Sequence, residues 1–317
     1  MEKANFEDLE FKHLSTDNVS AAHQMCEKNV RFLNKSLDAF KKTTLESDLF
    51  NEEYSIVVRN GDEKIVGFFM VVFREPFVLK QWRKVAVLKF FVIQQEWRYQ
   101  GLGSYLLEMI TKKIKNSKYY CFKMKFEIMT SMPDYWHPGL DPRHTEAYFF
   151  LKKHGFKRKG ERINLCVNLT EKNDQKPVSQ LNGITITRAT QEEKEKIAPI
   201  KFMPKSYQLS FWPQEIRLSF ENDPITTFLA KNEDDEIIGW ATHSVHFPKS
   251  FGPTGVAKKA RGKGIGGLLL DWCLWDIKRQ GFEQAKIMWV VGDTVYFYLK
   301  SRGAYICEFF WPMQKRI

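Results

Sequence analysis

Two α/β domains, each built on a mixed sheet and joined in tandem, are what this 317-residue sequence predicts, and three observations predict it. The length exceeds the roughly 100 to 200 residues that usually surround one hydrophobic core. The pattern Arg-x-x-Gly-x-Gly, opening an amphipathic helix, occurs at Arg98–Gly103 and again at Arg261–Gly266. Around each copy the same order of strands and helices recurs, at an offset of 163 residues from Gly101 to Gly264.

Composition narrows the class. Hydrophobic residues make up 43% and charged residues 27%, with 26 Phe and 9 Trp, enough to fill cores and too apolar for a disordered chain. No run of about 18 uncharged apolar residues is present, and the opening MEKANFEDLEFK lacks the basic and apolar regions of a secretory leader. A cytoplasmic protein without a membrane span is the expectation. The five cysteines (Cys26, Cys121, Cys166, Cys273, Cys307) are odd in number and never spaced as C-x-x-C, which predicts reduced thiols and no metal site. The net charge of +11 invites a nucleic-acid partner. Its lysines and arginines are scattered, however, without a basic tail or reader motif, which argues against one.

The elements follow in order. Leu9–Leu14 reads as a strand, with Ser15 or Thr16 placed to cap a helix. Tyr54–Phe73 reads as a hairpin turning at Asn60-Gly61-Asp62. Val85–Ile93 is a further strand, followed by the first motif and a helix with Tyr105, Leu106, Met109 and Ile110 on one face. Then come the strand CFKMKFEIM, a loop, a helix ending at Gly155, and the strand ERINLCVNL closing the first half. The segment Tyr135–Phe150 carries two histidines, Asp141, Arg143 and two prolines; it reads as a rigid connection in which Asp141 or Thr145 caps the helix, with an acceptor-binding role as the other reading. The polar stretch Thr170–Gly183, containing Pro177, reads as a linker, giving domains over 1–172 and 184–317 with 173–183 between them.

The second half repeats this order. Ile184–Ala189 is a strand, Thr190 a helix cap, and Thr226–Val245 a hairpin turning at Asn232–Asp235. Gly252–Val256 leads into the second motif and the helix GLLLDWCLWDIKRQ; the strand AKIMWVV, a helix ending at Gly303, and AYICEFF follow as the last strand. Phe202–Ile216 reads as a pocket wall.

The motif carries the chemistry. A helix N-terminus has unpaired N–H groups and the positive end of the dipole, and glycines let the backbone approach phosphate oxygens closely. Neither copy is G-x-x-x-x-G-K-[ST] or G-x-G-x-x-G with an acidic residue about 20 positions on, which sets aside other nucleotide-binding loops. A strand, this motif, a helix, a strand and a helix ending in a Y-x-K-x-G-like sequence resemble the GCN5-related N-acetyltransferase (GNAT) superfamily, over nearly the whole chain and twice. The arrangement is similar to tandem acetyltransferases such as mycothiol synthase.

The resemblance implies a mixed sheet splayed between its fourth and fifth strands, with the pantetheine arm of acetyl-CoA in the split. It places pyrophosphate on Arg98, Tyr99, Gln100, Gly101, Leu102, Gly103 and Ser104 in the first half. In the second half the corresponding residues are Arg261, Gly262, Lys263, Gly264, Ile265, Gly266 and Gly267. Backbone groups of Ile93 and Val256 would meet the pantetheine arm and thioester. It further implies direct attack of a primary amine of a small molecule, or less readily of a protein, with a tyrosine protonating the departing thiolate. Counting five residues back from the helix-ending glycine gives Tyr298 in the second half and Phe150 in the first. Tyr298 is therefore the expected catalytic residue, with Asp293, His243 and His246 as candidate bases and the second half as the active one. Tyr148 and Tyr296 match by position as packing residues. A non-catalytic acyl-CoA-binding regulator or scaffold is the alternative, favoured by Phe150 and opposed by Tyr298.

Overall fold

The computed structural model describes residues 6, 8–31, 36–74, 84–132, 135–197 and 212–317. The chain runs through β1 (Glu10–His13), α1 (Val19–Asn29), α2 (Leu37–Thr43), β2 (Ser55–Arg59), β3 (Ile65–Arg74), β4 (Val85–Ile93), α3 (Leu102–Lys115), β5 (Lys125–Ile128), α4 (Thr145–Lys153) and β6 (Lys157–Arg158). It continues through β7 (Arg162–Asn168), β8 (Gln180–Leu181), β9 (Ile184–Arg188), α5 (Lys194–Ile197), α6 (Trp212–Ser219), β10 (Thr227–Lys231), β11 (Ile237–His243) and β12 (Ser250–Val256). The final elements are α7 (Ile265–Arg279), β13 (Gln284–Val290), α8 (Thr294–Arg302), β14 (Tyr305–Phe310) and β15 (Met313–Arg316). Among the described residues no helix is long and apolar enough to cross a membrane.

Two mixed sheets result. The first has the order β1-β2-β3-β4-β5-β15-β6, the second β14-β7-β13-β12-β11-β10-β9-β8. Neighbours pair antiparallel in every recorded register except β4 with β5 and β12 with β13, which run parallel. Each sheet is apolar on both faces. α3 buries its own Leu102, Leu106, Leu107, Ile110 and Ile114 against the first sheet, and α7 buries Leu269, Leu270, Cys273, Leu274 and Ile277 against the second. The opposite faces are closed by α1 and α2 in the first sheet and by α6 in the second.

The division of the chain departs from the linker. One compact unit holds residues up to Glu161 together with Phe310–Ile317; the other holds Arg162–Phe309. Boundaries at 172 and 184 therefore separate the wrong strands. ERINLCVNL, read as closing the first half, is β7 and pairs with β13 of the second sheet, Gln284 opposite Asn168. The place beside β5 belongs instead to β15, a C-terminal strand absent from the sequence reading, with Gln314 opposite Glu127. Both segments alternate well enough to be strands; their partners are long-range, so no local pattern specifies them.

Smaller differences have local causes. The buried face of α3 is rotated, with Tyr105 turned outward. Asn18, not Ser15 or Thr16, precedes α1, and its side chain folds back to the Ser15 N–H (2.9 Å) and the His13 carbonyl (2.8 Å). Neither Asp141 nor Thr145 caps α4; Asp141 accepts from the Arg143 backbone and guanidinium instead. Thr190 does form a capping box with Glu193. Cys166 on β7 and Cys307 on β14 are joined as a disulfide with a Cα–Cα distance of 5.7 Å, which corrects the expectation of five free thiols; Cys26, Cys121 and Cys273 are free. Of the expected pocket wall, 202–211 lie outside the described residues and Trp212–Ile216 form the start of α6.

Candidate active site

Each motif sits where the sequence placed it, between a strand and a helix. Gly101 and Gly264 precede α3 and α7 with φ of 93° and 81°, a left-handed conformation that a Cβ disfavours. Neither helix has a side-chain cap, and the first bonds accepted by these glycines come from Tyr105 N–H (3.0 Å) and Leu268 N–H (3.0 Å). The amides of Leu102, Gly103 and Ser104, and of Ile265, Gly266 and Gly267, therefore lie in uncapped first turns, suited to an anion.

The strands ahead of the loops part from their parallel neighbours. β4 pairs with β5 only from Ala86 to Leu88, and β12 with β13 only at Ser250 and Phe251. Beyond those residues, antiparallel alternation decides which amides face the gap. Gln94 N–H bonds Val66 (2.9 Å) and Ala257 N–H bonds Ile238 (2.8 Å). The intervening amides of Phe91 and Ile93, and of Thr254 and Val256, point to the open edge. The carbonyls of Ile93 and Val256 are already engaged, each accepting from its motif arginine, Arg98 Nε or Arg261 Nε, at 3.0 Å. A chain of amides such as pantetheine fits the remaining groups.

The two gaps are lined differently. Gly67 opposite Ile93 matches Gly239 opposite Val256, which makes Lys89 the counterpart of Gly252 and Phe91 that of Thr254. Lys89 is buried, 1% exposed, at a bulge in β4. At Gly252 a Cβ would meet nothing within 4 Å. Phe91 stacks on Phe150 at 5.7 Å and 17°, covering Gly103, whereas Thr254 turns its hydroxyl to the Trp240 carbonyl at 2.9 Å. Charge differs as well. Arg98 is paired with Glu146 at 3.2 Å, which also bonds Tyr99; among the described residues neither Arg261 nor Lys263 has a carboxylate within 4.0 Å. Tyr99 is 81% exposed.

Contacts also realign the last helices. A Cβ on Gly103 would lie 3.2 Å from the Phe150 ring and one on Gly266 3.5 Å from Phe297. Ser104 Oγ meets His154 Nε2 at 3.0 Å, and Gly267 lies against the Arg302 guanidinium. Phe150 thus matches Phe297, and Tyr298 matches Leu151, the next residue, buried in both units at 8% and 4% exposure. Counting from the glycine paired Tyr298 with Phe150 because α8 carries one residue more before its glycine. The asymmetry survives the correction, since leucine has no proton to give. Tyr148 and Tyr296 are likewise not equivalent: Tyr296 is exposed, whereas Tyr148 packs on Trp311. Tyr298 contacts Phe251 and Phe297 edge-on, and burial, with a smaller push from Cys273, raises its phenol above the ordinary tyrosine value.

The candidate bases separate. Asp293 is exposed at the start of α8. His243 is fully buried under α7, its Nε2 2.9 Å from Asp276 and its Nδ1 3.0 Å from Ser244 Oγ; burial pushes its imidazole down against the pull of Asp276. Burial alone would raise Asp276, yet hydrogen bonds from His243 and Arg188 outweigh it and hold the carboxyl at about 2. His246 lies on the opposite face, its Nε2 2.9 Å from Glu215 of α6, with its backbone N–H bonding Ser250 Oγ at 3.3 Å. Sequence reasoning missed Glu215, whose partner is 31 positions away, and Lys89, which looks like one more polar residue of a strand. Among the described residues no group of three His, Cys, Asp or Glu could hold a metal ion.

A family model described as the acetyltransferase (GNAT) family matches residues 22–127 and 188–305. Solved structures share the fold. A GCN5-related glucosamine N-acetyltransferase region of a fungal multi-domain GH3 β-N-acetylglucosaminidase aligns with TM-score 0.76 and 15% identity over 96% of this chain and 38% of that one. A GCN5-related N-acetyltransferase from Sphaerobacter thermophilus gives 0.70 and 16% over 98% and 96%. A tandem GNAT protein from the clavulanic acid biosynthesis pathway gives 0.67 and 14% over 97% and 98%. A search of curated protein sequences found no match. With the motif loop and the parting parallel strands present in both units, and the family pattern matching more than half of its length, the chain belongs to the acetyltransferase (GNAT) family and is a tandem acetyltransferase enzyme.

Proposed function

We propose that the Arg162–Phe309 unit transfers an acetyl group from acetyl-CoA directly to a primary amine of a small molecule. The observation that carries this reading is the pairing of Tyr298 with an open strand edge at Gly252, where the other unit has Leu151 and the buried Lys89. Arg261, Lys263 and the amides of Ile265, Gly266 and Gly267 hold the pyrophosphate; Thr254 and the Val256 N–H take the pantetheine amides. Bound acetyl-CoA supplies an activated thioester.

The rest is the work of side chains. As the amine nitrogen bonds to the acetyl carbon and the C–S bond breaks, Tyr298 donates its proton to the departing sulfur. Its raised pKa keeps that proton in place at neutral pH. His246, oriented by Glu215, takes the proton the amine loses; its backbone N–H bonds Ser250 Oγ at the start of the strand that carries Gly252, whereas His243 is held by Asp276 under α7. The first unit is expected to bind no acetyl-CoA productively, because the Phe91–Phe150 stack covers Gly103 and a buried lysine stands where the second unit has Gly252.

The experiment is a panel of amines with acetyl-CoA, following CoA release. The fungal region that shares the fold is a glucosamine N-acetyltransferase, so amino sugars head the panel. Turnover with an amine and calorimetric binding of one acetyl-CoA per chain are expected. Two equivalent sites would contradict the assignment of the first unit.

A further inference from the structure

The first unit carries a second concavity, away from its motif loop. A cleft of about 350 Å3 opens along the C-terminal half of α3, between Glu108, Thr111, Lys112 and Lys115 on that helix and His154 and Lys315 from elsewhere in the unit. Three ammonium groups and an imidazole thus face one carboxylate. Among the described residues none of the three lysines has a carboxylate within 4.0 Å, although Glu108 and Lys112 are an i, i+4 pair.

Helix-end lysines alone are unremarkable, since cations favour the C-terminal turn. Lys315 is not on the helix. It comes from β15, lies over the Phe156 ring at 4.8 Å, and among the described residues donates to the His154 carbonyl at 3.5 Å. Burial and the repulsion of Lys115 pull its ammonium below the ordinary lysine value, against Glu108, and burial and Lys315 lower His154 in turn. In the second unit the corresponding charges are paired. There Asp271, the counterpart of Glu108, grips Arg302 in a two-pronged ion pair, and Lys278, the counterpart of Lys115, bonds Glu283 at 2.8 Å.

We propose that the cleft of Lys112, Lys115, Lys315 and His154 binds a phosphate group, free or as a monoester. A dianion relieves the mutual repulsion of the four bases, and the lysines supply charge-assisted hydrogen bonds. Glu108 limits the site to a single compact anion. The site does not depend on the activity of the other unit.

The test follows the His154 imidazole by NMR while inorganic phosphate or glycerol 3-phosphate is added to the full chain, with chloride at matched ionic strength as control. A saturable change that moves the His154 titration to higher pH is expected for phosphate and not for chloride. Because His154 also touches Ser104 of the motif loop, the discriminating variant is Lys112→Gln with Lys115→Gln, two exposed or half-exposed positions two to three turns from that loop. Loss of the phosphate effect in this variant assigns the anion to the cleft. A response that survives it belongs to the loop and overturns the proposal, as does the absence of any saturable response. Tighter binding of the ester than of phosphate identifies an esterified ligand; equal binding identifies the free anion.

Discussion

The two parting strand pairs are built to the same plan and lined to opposite ends. In the first unit the parting strand carries a buried lysine, a phenylalanine stacked on Phe150 and a motif arginine paired with a carboxylate. In the second the same positions hold glycine, threonine and an arginine without a carboxylate. Backbone geometry is therefore shared, and the two gaps differ in the side chains that line them. A duplicated domain keeps its scaffold because the sheet and helix packing need it, while its cleft is free to fill.

The sharpest way to break the comparison is at the residue that ends the transfer. Tyr298→Phe is expected to lower kcat by roughly a hundredfold to ten-thousandfold, the usual contribution of a general acid, with the KM for acetyl-CoA little changed. Leu151→Phe, its counterpart, is expected to leave turnover near the parent value in the same CoA-release assay. Equal turnover by the tyrosine variant would return both residues to a packing role.

Next in size is the polar pillar under α7, which the first unit lacks. Asp276→Asn strips Arg188 and His243 of their shared carboxylate and is expected to cost about 3 kcal/mol, read as a lower urea midpoint. The pH dependence follows from the depressed carboxyl. Its stabilisation is complete above the unfolded value near 4 and is lost as pH falls toward about 2, so the urea midpoints of parent and variant should converge as the pH is lowered through that range.

A smaller effect separates the two loops. Gly264→Ala places a Cβ at φ 81° and is expected to weaken acetyl-CoA binding about fivefold to tenfold, the equivalent of roughly 1 kcal/mol. Gly101→Ala should leave calorimetric binding untouched; an equal loss from both would mean that both loops carry cofactor. The smallest change is a count. Thiol titration of unfolded, unreduced protein should find three free cysteines and find five after reduction.

What the sequence determined by itself is everything with a short range. Alternation and turn residues placed the hairpins at Asn60–Asp62 and Asn232–Asp235, and the run Val85–Ile93, apolar except for Lys89, marked β4 to its ends. The repeated Arg-x-x-Gly-x-Gly located both helix N-termini and, through the family it resembles, the cofactor chemistry. Tertiary structure decided what depends on distant partners. It set β7 beside β13 and β15 beside β5, and it joined Cys166 to Cys307. It brought Glu215 to His246 and exposed Leu151 as the true counterpart of Tyr298. The physical reason is the same in each case: a strand's pattern fixes which face it buries but not which edge it joins, and a helix position acquires meaning only from what it touches.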